Sequence, residues 1–172
     1  MSDVNAPGSR VAMVVGHMAG MIDMAALPIW VSVLITGYSL GPAQAGALPA
    51  LFLSGAVIAS LALSQMFHWL PGRWMPALGF SLSAAIFYLM STTELYSLLM
   101  AGHLAAGVCT GVALSFTHGT MGRSANPHRN FSMGNLLTAF LAVVFFAAAP
   151  KLVADFGPPT IFRIFAAVMT FA

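Results

Sequence analysis

The sequence predicts an all-α integral membrane protein that crosses the bilayer six times. Three observations carry that prediction. Hydrophobic residues make up 59% of the 172 positions and charged ones only 6%, whereas a soluble domain carries about a quarter charged residues; no water-facing surface can be assembled from this composition. The apolar residues fall into runs long enough for membrane helices, and mean hydropathy is +0.91. Short segments rich in Gly, Pro and charged residues separate the runs, as breaks between helices should.

Residues 1–10, MSDVNAPGSR, are polar and carry Asp3. They lack the basic n-region and small-residue cleavage site of a signal peptide. They are expected to form a disordered cytoplasmic tail ahead of a helical body spanning 11–172. The first helix is expected over Val11–Tyr38, at about 1.5 Å per residue roughly 40 Å long. It holds a single formal charge, Asp23. An ionised carboxylate in hydrocarbon is costly and should face a protein interior or a wet cavity. Pro28, five residues on, is expected to kink the helix.

Gly41 and Pro42 mark a tight turn within Ser39–Gly46, and a second helix follows over Ala43–Phe67. In it Gly55 and Ala59, and likewise Ala56 and Ser60, stand four apart, a spacing that lets helices approach closely in lipid. Pro71–Gly72 break the chain within His68–Arg73. A third helix is expected over Trp74–Ser91, a polar turn at Ser91–Leu95, and a fourth helix over Leu95–Thr120. Gly107 and Gly111 in the fourth form a GxxxG pair, again a packing signal. The longest polar stretch, Gly122–Asn130, reads as a loop. A fifth helix is expected over Phe131–Ala149, ended by Pro150, and a break over Lys151–Pro159. The sixth begins near Thr160 and reaches Ala172; thirteen residues fall short of a comfortable crossing, so the sequence reads as stopping inside that helix, with the sixth helix truncated.

With the N-terminus placed in the cytoplasm, Arg10, Arg73, Arg123 and Arg129 lie on the cytoplasmic side and Lys151 alone opposite, as the positive-inside rule favours. The first and fourth helices carry similar strings, GHMAG (Gly16–Gly20) and GHLAAG (Gly102–Gly107). This echo places the six helices as two three-helix units, an arrangement that transporters often build as inverted repeats.

Asp23 is the foremost candidate for chemistry, because a membrane carboxylate can hold a proton, pair with a cation or bind a substrate amine. His103 and His17 are candidates for proton relay, since imidazole changes charge near neutral pH; Asp23 and His103 are expected to approach each other if helices one and four line a common cavity. The remaining histidines, His68, His118 and His128, read as interfacial, and Cys109 as a packing residue. The scattered basic residues give no nucleic-acid footprint. There is no phosphate-binding glycine loop and no cluster with metal-ligand spacing, so no cofactor or metal is expected. A membrane di-haem protein needs histidine pairs on facing helices, and an intramembrane serine hydrolase needs a serine motif that is absent here; both enzyme readings are disfavoured.

In the order of its helices and partial motifs the chain resembles the N-terminal half of a major facilitator superfamily transporter. The segment GMIDMAALP (Gly20–Pro28) is similar to that family's first helix, with an acid and a later proline. Tyr38–Leu63 resembles its first outer turn and second helix. The loop motif G-x-x-x-D-R-x-G-R is matched by Gly72 and Arg73, but Gln65 and Trp69 stand where the family has glycine and acid. The fourth-helix arginine followed by spaced glycines aligns with His103, Gly107 and Gly111. The fifth-helix Gly-Pro signature of drug antiporters is missing from Asn135–Pro150.

The resemblance implies a six-helix half-bundle and secondary active transport of an unknown small solute by alternating access, coupled to protons. Helices one and four would line the cavity with Asp23 and His103, and Gly72 and Arg73 would belong to a cytoplasmic gate. The implied setting is a bacterial inner membrane, and a C-terminal six-helix half or a second copy would complete the transporter. The rival expectation is an inactive truncated or split-gene fragment.

Overall fold

The structure is a computed structural model and describes residues 4, 6–66, 72 and 74–172, with backbone only at 64–66. Among the described residues it contains helices and no strands. In chain order these are α1 (Pro7–Gly20), α2 (Ile22–Gly37), α3 (Pro42–Met66), α4 (Met75–Met90), α5 (Tyr96–Gly122), α6 (Pro127–Phe156) and α7 (Thr160–Thr170). Four helical stretches are long and apolar enough to cross a membrane: Pro7–Gly37, Pro42–Leu63, Tyr96–Gly122 and Pro127–Phe156. Two shorter apolar helices, α4 and α7, accompany them. The four apolar helices suggest a membrane protein, and large apolar side chains such as Leu61, Leu89, Leu136 and Val143 stand exposed on the outside.

The boundaries differ from the sequence reading in three places. Helix α1 begins at Pro7, so the last four residues of the expected tail are helical; proline suits the first helical turn, where its missing N–H would be unpaired anyway. The same effect starts α6 at Pro127, inside the expected loop. Pro150 does not end that helix. It removes one ladder N–H, and α6 runs on to Phe156, where Gly157 at φ 84° turns the chain. The extra turn carries an exposed Lys151–Asp155 ion pair of 2.9 Å.

The first span is interrupted, but not at Pro28. The break is the single residue Met21 (φ −101°, ψ 9°), and α2 runs through Pro28. The second span starts on a reciprocal cap: the Gln44 side chain accepts from the Gly41 N–H at 3.1 Å, while the Ala45 N–H bonds the Gly41 carbonyl.

Helix α5 sits at the centre, packed on α3 and α4 and also against α1. Helices α1 and α2 pack on α6, and α4 packs on α7. The α3–α5 contact is made by backbone against backbone. A Cβ at Gly111 would stand 2.5 Å from the Ala56 carbonyl oxygen, one at Gly55 the same distance from that of Leu104, and one at Gly107 would overlap the Phe52 carbonyl. Bonds between Ser83 and Thr110 (2.9 Å) and between Ser115 and Ser60 (3.0 Å) tie α5 to its neighbours. The core beside this seam is aromatic. Trp30 meets Phe52 at 5.7 Å and Phe165 at 4.9 Å between ring centres, and Phe87 meets Phe165 at 5.2 Å, the range in which tilted aromatic pairs attract.

Candidate functional site

The break at Met21 sets up the site. Asp23 lies in the first turn of α2, directly after it, where backbone N–H groups lack helical partners and the helix end favours negative charge. The N–H groups of Met24 and of Asp23 itself bear on the carboxyl. The side chain is 9% exposed, and its Oδ1 has no protein hydrogen-bond partner.

Asp23 lines a cleft of about 510 Å³ between the first span, α3 and α5. Gly20, Trp30, Phe52, Thr110 and Gly111 form its buried floor, and Met24, Val57 and Leu61 its exposed rim. Thr110 and Ser60 are the lining residues with hydroxyl groups. The space is large enough for a small organic molecule, and its walls are mostly apolar with few polar groups, as ligand pockets usually are. A narrow void behind Asp23 is lined by Trp30, Phe52, Phe87 and Phe165. The carboxyl thus stands between an open cleft and an aromatic core.

His103 takes no part in lining the cleft. It is fully buried and its Nδ1–H donates to the Leu99 carbonyl at 2.6 Å, leaving Nε2 without a protein partner. Its ring stacks on Trp30 at 5.3 Å and 18°, and meets Phe162 edge-on at 5.5 Å. The structure therefore gives Asp23 and His103 no hydrogen bond to each other; Trp30 shares the cleft lining with Asp23 and touches His103. The indole lines the cleft beside Asp23 and stacks on His103, and its own Nε1 is buried without a protein partner.

His17 lies elsewhere, one turn before the break. Its Nδ1 is 2.9 Å from His118 Nε2 on α5, and its Nε2 is 2.9 Å from Asn135 Oδ1 on α6. Phe131 packs on both imidazoles, at 5.9 Å and 5.5 Å. Helix α6 approaches so closely that a Cβ at Gly134 would lie 2.6 Å from the His17 ring. Gly72 is exposed and faces Phe116, while Arg73 lies outside the described residues. Gly107 and Gly111 stand in the α3–α5 seam, and Gly111 also floors the cleft.

Sequence reasoning missed Trp30, His118 and Asn135. Asn135 had a usable signal, being an amide in the midst of an apolar run, where polar side chains join helices. Trp30 and His118 had none, because their partners come from distant helices. No family model matches the sequence, and neither a curated protein nor a solved structure matches it.

Proposed function

We propose that the chain is a secondary transporter module that carries a small, largely apolar solute bearing a cationic nitrogen. The observation that carries the reading is Asp23: a buried carboxyl with an unpartnered oxygen, on the wall of a mostly apolar cleft, two residues past a break in an apolar helix. Discontinuous membrane helices commonly build transporter sites, because the break frees backbone groups and gives the helix a joint. The carboxylate would pair with the cationic nitrogen, the Trp30 face would add a cation–π contact, and Phe52, Leu53 and Val57 would take the apolar body.

The mechanism is alternating access, with this bundle rocking against a second six-helix bundle, either a further half or a second copy. Two features support it. Counting α1 and α2 as the first of six helices, the second (α3) packs on the fourth (α5) and the fifth (α6) on the first, while the third (α4) and sixth (α7) pack on each other. Exchanging the first three helices with the last three maps that scheme onto itself, apart from the closer contact of the third helix with the fourth than of the sixth with the first. Helix α6 also leaves Leu136, Phe140 and Val143 exposed along its length, a surface for lipid or for the second bundle. The resemblance to the major facilitator superfamily puts the N-terminus in the cytoplasm of a bacterial inner membrane, and the distribution of arginines agrees.

The test is uptake of radiolabelled tetraethylammonium, a small apolar cation whose charge sits on nitrogen, into proteoliposomes holding the whole protein. Asp23→Asn should abolish uptake and Asp23→Glu should keep part of it. Equal uptake by wild type and Asp23→Asn would remove the carboxylate from the mechanism.

A further inference from the structure

The node at His17 is organised around protons. With Asn135 Oδ1 as acceptor, His17 Nε2 must carry a hydrogen and donate it across 2.9 Å. A neutral His17 then has a bare lone pair on Nδ1, so the hydrogen in the 2.9 Å bond to His118 comes from His118 Nε2. That assignment leaves a lone pair on His118 Nδ1, on a ring that is only half-buried. One proton from water can add there without breaking a hydrogen bond. The pair passes from neutral to +1, and the N–H···N link becomes charge-assisted and stronger. A second proton has to occupy His17 Nδ1, which sets N–H against N–H between rings whose centres are 5.0 Å apart. The node accepts one proton and resists two.

We propose that His17, His118 and Asn135 form a one-proton binding site that locks α1 to α5 and α6. Helix α1 packs on α5, α6, α2 and α7. Of these, α5 presents His118 to His17 and α6 presents the neutral Asn135 and Phe131. The other charged or titratable groups on these five helices are Arg10 on α1, Asp23 on α2, Tyr96, His103 and Cys109 on α5, His128, Arg129, Lys151 and Asp155 on α6, and Arg163 on α7; His103 is engaged with Leu99 and Trp30 rather than with this node. Among the described residues the ion pair is Lys151–Asp155, so no carboxylate salt-bridges either imidazole.

The position gives the proton a consequence. The His17 carbonyl accepts the Met21 N–H at 3.1 Å, so the node grips the last turn before the break, and Asp23 lies just beyond it. Protonation would set how firmly α1 is held while α2 carries the carboxylate on the far side of the joint. That coupling role rests on the transport reading above; the proton site itself does not.

The test is nitrogen NMR of the whole protein, labelled with ¹⁵N-histidine, in lipid nanodiscs between pH 8 and pH 5. Signals of His17 and His118 should move together through one transition that takes up a single proton. In His118→Gln, whose amide can still donate to His17 Nδ1, the His17 signals should leave that transition. Two independent transitions, each indifferent to replacement of the other residue, would overturn the proposal, as would the absence of any titration in this range. The wild-type spectrum decides even if the variant fails to fold. Tetraethylammonium added to the same sample separates the two readings: a joint transition without binding of the cation keeps the proton site and removes the transport reading.

Discussion

Replacing Gly111 by alanine would put a methyl carbon 2.5 Å from the Ala56 carbonyl oxygen and 2.6 Å from the Ala56 Cα. Both are backbone atoms of α3, so no side-chain rotation can make room. A tolerable contact lies near 3.3 Å, and the two helices must separate by roughly 0.8 Å, a gap at which nonbonded pairs forfeit a quarter to a half of their attraction. If about 30 atom pairs across the seam each contribute ~0.15 kcal/mol, losing a third of that costs about 1.5 kcal/mol. The general cost of overpacking, about 1–3 kcal/mol, agrees. Gly46 is the control, since a Cβ there meets nothing within 4 Å. Alanine at that helical position should be neutral or stabilise by up to about 1 kcal/mol. Reversible unfolding by SDS in mixed micelles, followed by circular dichroism, reads both. Gly111→Ala should fall below wild type while Gly46→Ala does not. Equal stability of the two variants would refute the backbone-to-backbone seam and, with it, the placement of α3 on α5.

Trp30→Ala should cost about 3–5 kcal/mol, the range for removing a large buried aromatic, in the same unfolding assay; a loss under 1 kcal/mol would mean the indole is not the hub of the aromatic core. Asp23→Asn should unfold no earlier than wild type, because the carboxyl oxygen it replaces has no protein partner to lose; a clear drop in stability would reveal a structural bond. Ser39 has φ 54° in the turn before α3, a left-handed conformation that suits glycine better. Ser39→Gly should therefore hold or raise thermal stability by a few tenths of a kcal/mol, and a loss near 1 kcal/mol would contradict the strained turn.

What was legible in the sequence was whatever depends on a short window. Small residues four apart at Gly107 and Gly111 announce a close helix contact, and the turn at Gly41–Pro42 announces a new helix. Prolines were read with the wrong sign at two places for a physical reason. Pro127 opens a helix because its fixed φ suits the first turn, and Pro150 is carried inside one because a long apolar helix in lipid retains the rest of its ladder. The break at Met21 has no local signature. Gly20, just before it, is held against Leu114 of α5, so tertiary packing bears on that turn, and the expectation went instead to the visible Pro28. The pairing of His17 with His118 joins residues 101 positions apart, and no periodicity encodes it. Asp23 was found because a lone charge in hydrocarbon is expensive wherever the fold puts it.

The polar groups of the bundle divide by what satisfies them. Thr117 and Thr138 donate to carbonyls one turn back in their own helices, Ser83 and Thr110 bond each other across α4 and α5, and Asn130 donates to Ser124; these groups are satisfied within the bundle. Among the described residues, the buried side-chain atoms without a protein partner are Asp23 Oδ1, Trp30 Nε1, His103 Nε2, Tyr38 Oη and Thr160 Oγ1. The first three belong to side chains linked through one indole, and Phe162 continues the contact from His103 to Tyr38. An unsatisfied buried polar atom costs about 1–3 kcal/mol, and two of these five, on Asp23 and Trp30, belong to residues that line the cleft. Such a cost is recovered whenever a donor enters from the cleft side and reaches Asp23. Backbone N–H groups serve one part of the Asp23 carboxyl; its Oδ1 is left for a partner that must arrive.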